Sequence, residues 1–267
     1  MAVEIKTVVA DSFSMDYFCF GKGDQPLVIL PGLSIQSVMG AADAIAQAYR
    51  SLEDIFTIYV FDRRSDLPEN CSIKDMAEDT VRAIEAVGLK SIYLFGASQG
   101  GMIAQLIAVG YPGLVRKLII GSSASEVDDG QFSVIGEWIK KAKEKDKAGL
   151  FLDFGEKIYA KDFFESNRDA LIMLAETVTD EELRNFIISA EGIEGFNITS
   201  ELHKIMCPVL AIGVYGDKVL GENAALKIAD AFSGRDNFTL FMYHDYGHAA
   251  FDTAPDYRKR LYDFFME

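Results

Sequence analysis

Between Ser91 and Ala108 a strand-like apolar run passes through Gly96-Ala97-Ser98-Gln99-Gly100 into a run with helical character. Leu94 and Phe95 close the first run, and Met102-Ile103-Ala104-Gln105-Leu106-Ile107-Ala108 reads as the start of a buried helix. Gly-x-Ser-x-Gly at such a junction is the sequence form of a nucleophile elbow, a tight strand-to-helix turn that lifts one serine hydroxyl clear of the sheet. Gly96 and Gly100 flank the serine because side chains there would collide in so tight a turn. The competing reading is an ordinary glycine-rich turn from a strand into a helix.

An elbow needs a sheet behind it, and the rest of the chain has the pattern of one. Residues 3–9 and 14–20 read as two strands separated by Ala10-Asp11-Ser12, so short a turn that they should form an antiparallel edge. Pro26-Leu27-Val28-Ile29-Leu30 is apolar without alternation, and residues 56–61, 91–95, 116–120, 208–214 and 238–243 look similar. Such runs fit parallel strands covered on both faces. Helical spacing fills the gaps, most clearly at Ile73, Met76, Ala77, Val81, Ile84 and Val87, with Ser72 as N-cap, Asp75 at the third helical position and Gly88 as a stop. The expected fold is α/β, a mainly parallel twisted sheet of about eight strands flanked by helices.

The alternation breaks between Glu126 and Ile198. Successive helices are expected there around Ile135–Ala148, Leu150–Tyr159, Arg168–Val178 and Glu181–Glu191, the last opened by a capping box of Thr179 and Glu182. The chain therefore divides into a core, 1–125 with 199–267, and an all-helical cap or lid inserted at 126–198.

A length of 267 residues suits one large domain carrying such an insertion. The formal net charge of -15 repels phosphate backbones and anionic headgroups, so neither nucleic acid nor a membrane surface is an expected partner. Cys19, Cys71 and Cys207 are odd in number and far apart, which suits reduced thiols. The first residues, Met1-Ala2-Val3-Glu4-Ile5-Lys6, lack the basic and apolar regions of a secretory signal, and a cytoplasmic location is expected. No H-E-x-x-H, paired cysteines, Walker loop or G-x-G-x-x-G occurs, so no metal and no cofactor is expected.

A serine hydroxyl is a poor nucleophile until a base takes its proton, so Ser98 needs an imidazole. The chain has three histidines. His203 sits beside Lys204 in a polar segment and reads as a surface residue; His244 lies near the end of the last strand-like run. His248 follows Tyr246-Gly247 in the loop after that run, where open α/β sheets place ligand chemistry, and is the chosen base. A third group must orient the imidazole and stabilise it once charged. Asp217, at the end of the run from Val209 to Gly216, reaches the same sheet edge and is the chosen acid; Asp128 and Asp245 are rivals, and a turn aspartate is the alternative reading.

The order Ser98, Asp217, His248 is that of the α/β-hydrolase triad rather than of either well-known serine-protease arrangement. From end to end the chain resembles an α/β-hydrolase-fold protein, most specifically at Gly96-Ala97-Ser98-Gln99-Gly100-Gly101, Cys207-Pro208-Val209-Leu210, Gly216-Asp217-Lys218-Val219 and Gly247-His248. The helical insertion is similar to that family's cap. The resemblance implies an oxyanion hole made by the N–H groups of Gln99 and Leu33, although Pro31-Gly32 stands where many relatives have His-Gly. It also implies a glycine-bearing loop that Asp62-Arg63-Arg64-Ser65-Asp66 lacks, so that loop is expected to follow another path and has no assigned catalytic role. Among the insertion's Phe132, Trp138, Phe151, Phe154, Phe163, Phe164, Met173 and Phe186, a few are expected to wall an apolar pocket. The expected activity is hydrolysis of a small carboxylic ester or related acyl compound, with an apolar or acyl small molecule as substrate. Thioester or carbon–carbon bond hydrolysis, peptidase action, acyl transfer, and a ligand-binding role on the same scaffold remain the alternatives.

Overall fold

Eight strands hydrogen-bond into one open sheet in the computed structural model, which describes residues 2–267. They are β1 (Ile5–Ala10), β2 (Phe13–Phe20), β3 (Gln25–Leu30), β4 (Phe56–Arg64), β5 (Ile92–Ala97), β6 (Val115–Gly121), β7 (Val209–Val214) and β8 (Phe238–Tyr243). Their spatial order is β1-β2-β4-β3-β5-β6-β7-β8. β1 and β2 form the expected antiparallel edge, β2 runs antiparallel to β4, and the remaining neighbours are parallel. The α/β reading is borne out. Every residue of β5 and of β7 is buried, which is why those strands lack the alternation of a sheet with one wet face.

Two apolar cores lie on the two sides of the sheet. On one side α2 (Ile73–Ala86), α3 (Gln99–Gly110) and α8 (Asn223–Ala231) pack with Leu94, Leu118 and Ile120. On the other, α1 (Ala42–Ala48), the short α9 (Ala250–Thr253) and α10 (Tyr257–Met266) pack with Phe95, Ile119 and Ile212. α2 starts where expected: the Ser72 hydroxyl accepts from the Asp75 N–H while the Asp75 carboxylate accepts from the Ser72 N–H. α3 is buried on almost every side, so apart from Gln99 and Gln105 it is apolar around its circumference instead of amphipathic.

Between β6 and β7 come α4 (Asp129–Lys143), α5 (Lys147–Ile158), α6 (Lys161–Thr177) and α7 (Asp180–Glu191). The chain leaves and re-enters the core side by side: Val127 N–H donates to the Phe196 carbonyl at 2.8 Å and Ile198 N–H to the Ser125 carbonyl at 2.8 Å. Several boundaries differ from the expected ones, and α5 starts at Lys147 instead of Leu150. α4 begins earlier because Asp128 and Gln131 form a capping box, and it ends earlier because Lys145 adopts the left-handed conformation, φ 58. α6 also begins earlier, at Lys161; only Phe164 and Ala175 of this helix are buried, so its apolar periodicity is too sparse to mark the start. Thr179 and Glu182 form the expected capping box on α7.

Among the described residues no helix is long and apolar enough to cross a membrane. Leu118, in the middle of the sheet, is 0% exposed, and Val9, on the edge strand, is 72% exposed. Leu118→Ala should lower unfolding free energy in a denaturant titration by about 2–5 kcal/mol, and Val9→Ala should change it by less than about 0.5 kcal/mol. Equal effects of the two would contradict this placement of the core.

Candidate active site

Three loops at the carboxyl ends of parallel strands meet around Ser98. It follows β5 directly and precedes α3, with φ 51 and ψ -119. A non-glycine residue there is strained, and such strain persists only where the surroundings over-determine it. The Ser98 N–H donates to the Gly121 carbonyl at 2.8 Å, and the Ser98 carbonyl accepts from the Ser123 hydroxyl at 2.7 Å and from the Gly101 N–H at 2.8 Å. Both flanking glycines are required by close approach. A β-carbon on Gly96 would lie 2.2 Å from the Gly100 carbonyl oxygen, and one on Gly100 would lie 2.1 Å from that of Leu30.

His248 lies in the loop after β8 and Asp217 in the loop after β7. The His248 Nε2 is 2.9 Å from the Ser98 Oγ, and its Nδ1 is 2.7 Å from the Asp217 Oδ2. The other carboxylate oxygen, Oδ1, accepts from the N–H groups of Val219 at 2.8 Å and Leu220 at 3.1 Å. The His248 and Asp217 side chains are only 3% and 4% exposed. Burial by itself pushes the Asp217 carboxyl up, but the charge and hydrogen bond of His248, with the two N–H donors, hold it below the ordinary aspartate range. The arrangement can therefore draw a proton from the serine and keep a compensating negative charge behind the imidazole.

The other candidate acids and bases go elsewhere. Asp128 caps α4, and Asp245 is exposed at a left-handed turn position, φ 65. His203 bonds the Ser200 carbonyl through Nδ1 on the surface, and His244 stacks on Tyr215 at 4.4 Å. Leu33 follows β3, and Gln99 opens α3, where first-turn N–H groups have no acceptor within the helix. Ser34 caps no helix; its hydroxyl donates to the Gln36 carbonyl at 2.7 Å.

Ser98 and His248 open into a cavity of about 320 Å³. Its core side is lined by Val60, Phe95 and Ala97 of the sheet and Met102 of α3, and its insertion side by Ile135, Trp138, Phe154 and Ile193. Of the insertion's aromatic and methionine side chains, Trp138, Phe154 and Tyr159 reach this cavity, whereas Phe151, Phe164 and Phe186 are buried outside it, Phe132 is half-buried, and Phe163 and Met173 are exposed. A second cavity, of about 260 Å³ and more polar, lies on the other side of the Pro31–Ser34 segment and reaches Gln99 but not Ser98.

The alpha/beta hydrolase fold family model matches residues 25–255, most of the chain. The chain belongs to the α/β-hydrolase-fold family. It is 26% identical over 224 residues, 79% of this chain and 69% of the relative, to the human serine hydrolase BPHL. Two solved α/β folds superpose over nearly the whole length. MGS-M2, an alpha/beta hydrolase enzyme from a Medee basin deep-sea metagenome library, has a TM-score of 0.85 at 18% identity, covering 98% of each chain. The enol-lactonase from Burkholderia xenovorans LB400 has a TM-score of 0.83 at 17% identity, covering 98% of this chain and 100% of that one. At those identities the likeness establishes the fold.

One α/β-hydrolase position carries a residue whose placement the sequence did not reveal. Arg63 extends β4 past its apolar run, and its Nη2 donates to the Pro31 carbonyl at 2.9 Å and to the Gln99 Oε1 at 3.0 Å. The only signal was negative, a loop missing its usual glycines.

Because the folded pKa of Asp217 lies below the ordinary value of about 3.9, its carboxylate adds stability above that pH and loses the contribution as pH falls toward the folded value. The melting-temperature gap between wild type and Asp217→Asn should therefore narrow below about pH 4. A gap independent of pH would contradict the assignment.

Proposed function

We propose that this chain is a serine hydrolase that cleaves a small carboxylic ester, or a related acyl compound, through an acyl-enzyme on Ser98. One observation carries the reading: the array Asp217, His248, Ser98, with contacts of 2.7 and 2.9 Å, ends in an apolar cavity wide enough for an acyl group. Ser98 Oγ attacks the carbonyl carbon and its proton passes to His248 Nε2. Asp217 holds the Nδ1–H and compensates the imidazolium. The N–H groups of Leu33 and Gln99 bind the oxyanion, each worth about 2.7–4 kcal/mol in the transition state. The leaving alcohol takes the proton from His248; water, deprotonated by the same nitrogen, then releases the acid.

The cavity's chemistry sets the substrate class. Aliphatic and aromatic side chains from both the sheet and the insertion favour an apolar acyl or small aromatic group over a sugar or a peptide. The α4–α7 insertion acts as a lid that walls this space, and no cofactor takes part in the steps above. A relative named as a serine hydrolase and a structural neighbour named as an enol-lactonase support hydrolysis as the reaction. The acidic surface argues against nucleic-acid and membrane partners, and the three free cysteines suit a reducing, cytoplasmic setting.

Ser98→Ala should lower turnover of p-nitrophenyl esters by at least about 10⁴-fold while the far-ultraviolet circular dichroism stays unchanged. A fluorophosphonate should label the wild type at Ser98 only. Retained esterase activity in the variant would refute the assignment. In a panel of acyl lengths and polarities, uncharged apolar acyl groups should give the highest kcat/KM, and a preference for glycosylated or charged esters would overturn the reading of the cavity.

A further inference from the structure

The two N–H groups that would bind the oxyanion stand on segments with no covalent link near the site. Leu33 lies past β3, and Gln99 lies past β5. β3 and β5 pair directly as far as Leu30 and Gly96, and past that pairing the spacing of the two N–H groups depends on what joins the segments there. A single guanidinium nitrogen does so: Arg63 Nη2 bonds the Pro31 carbonyl on one segment and the Gln99 side chain on the other. The Gln99 amide is otherwise spent on the insertion, its Nε2 donating to the Ser189 carbonyl of α7 at 2.6 Å. Gln99 is 1% exposed, so this amide is committed to protein partners.

The placement of Arg63 is unfavourable for stability alone. Its two acceptors are neutral oxygens and not a carboxylate, and its Nε is buried with no partner. A buried donor left without a partner costs free energy unless something else is gained, although the rest of this half-buried guanidinium borders the second cavity. What the guanidinium gains is geometry at a site where a small displacement of a donor matters, because a hydrogen bond weakens steeply as its angle closes.

We propose that Arg63 is a positioning residue, which clamps the Pro31–Leu33 segment to Gln99 so that both N–H groups face one point, with α7 completing the clamp through Ser189. This rests on the acyl-enzyme reading above. Arg63 touches no reacting atom; it acts through the backbone it holds.

The test compares wild type, Arg63→Met and Arg63→Lys with a p-nitrophenyl ester and a fluorophosphonate, with thermal unfolding measured on each. Arg63→Met should lower kcat about 10- to 100-fold, less than the loss of a donor outright, with KM changed by less than about twofold and the melting temperature held or raised. The fluorophosphonate labelling rate should fall with kcat, since it forms a similar oxyanion. Arg63→Lys keeps a cationic donor and should recover about tenfold of the loss. Wild-type kcat in a folded Arg63→Met protein, or a defect confined to KM, would overturn the clamp. If Arg63→Met does not fold, Gln99→Met decides, since it removes the side-chain acceptor of the clamp and keeps the backbone N–H: kcat lowered at least about tenfold with KM changed by less than about twofold supports the clamp, and wild-type kcat refutes it. Absence of both turnover and Ser98 labelling in the wild type would remove the acyl-enzyme reading and, with it, this role.

Discussion

The whole site depends on how closely three pieces of backbone can approach one another at the end of β5. Gly96 and Gly100 bring the first turn of α3 against the strand it leaves and against the carbonyls of Leu30 and Pro31, at distances that admit no β-carbon. That contact forces Ser98 into its strained conformation, φ 51. It also places the Pro31–Ser34 segment beside the serine: a β-carbon on Gly32 would lie 3.1 Å from the Ser98 Cβ. Were the approach looser by the width of a methyl group, Ser98 and the Pro31–Ser34 segment would no longer lie side by side. The strain is local, and it is held by a sheet whose central strands are buried on both faces.

The chemistry then follows from loops at the same sheet edge. β7 and β8 are parallel neighbours, so their carboxyl ends deliver Asp217 and His248 together. The pair is sequestered from water and its carboxylate has further donors, which keeps it ionised where burial alone would favour protonation. The insertion is joined to this arrangement at several points. The Ala249 N–H, next to His248, donates to the Ile158 carbonyl at the end of α5, 2.7 Å away. Gln99 bonds Ser189 of α7, and Gln36 bonds Thr177 of α6. The helices that wall the cavity are thus fastened to the loops that carry His248 and Ser98.

Much of this was legible in the chain because its signals were local. The strand runs, the Ser72 and Thr179 capping boxes and the Gly-x-Ser-x-Gly turn each express themselves within a few residues. Helix starts in the insertion were harder. α6 buries only Phe164 and Ala175, so its sequence carries little trace of a buried face. β4 outran its apolar pattern because hydrogen bonds to β2, not side-chain burial, extend it to Arg64.

Sequence by itself determined that a serine sits on a sharp strand-to-helix turn of an α/β sheet, since such a turn leaves its mark in adjacent residues. It also offered Asp217 and His248 as acid and base past later strands in the right order, with other aspartates and histidines still open. Only the tertiary structure decided that His248, and not His203 or His244, meets Ser98, and that Asp217, and not Asp128 or Asp245, meets His248. Only folding likewise brought Arg63 to Gln99 and selected Trp138, Phe154 and Tyr159 from the insertion's aromatics to wall the cavity. The physical reason is separation along the chain. Contacts across 31 and 150 residues are set by strand order and helix packing, which no short stretch of residues encodes.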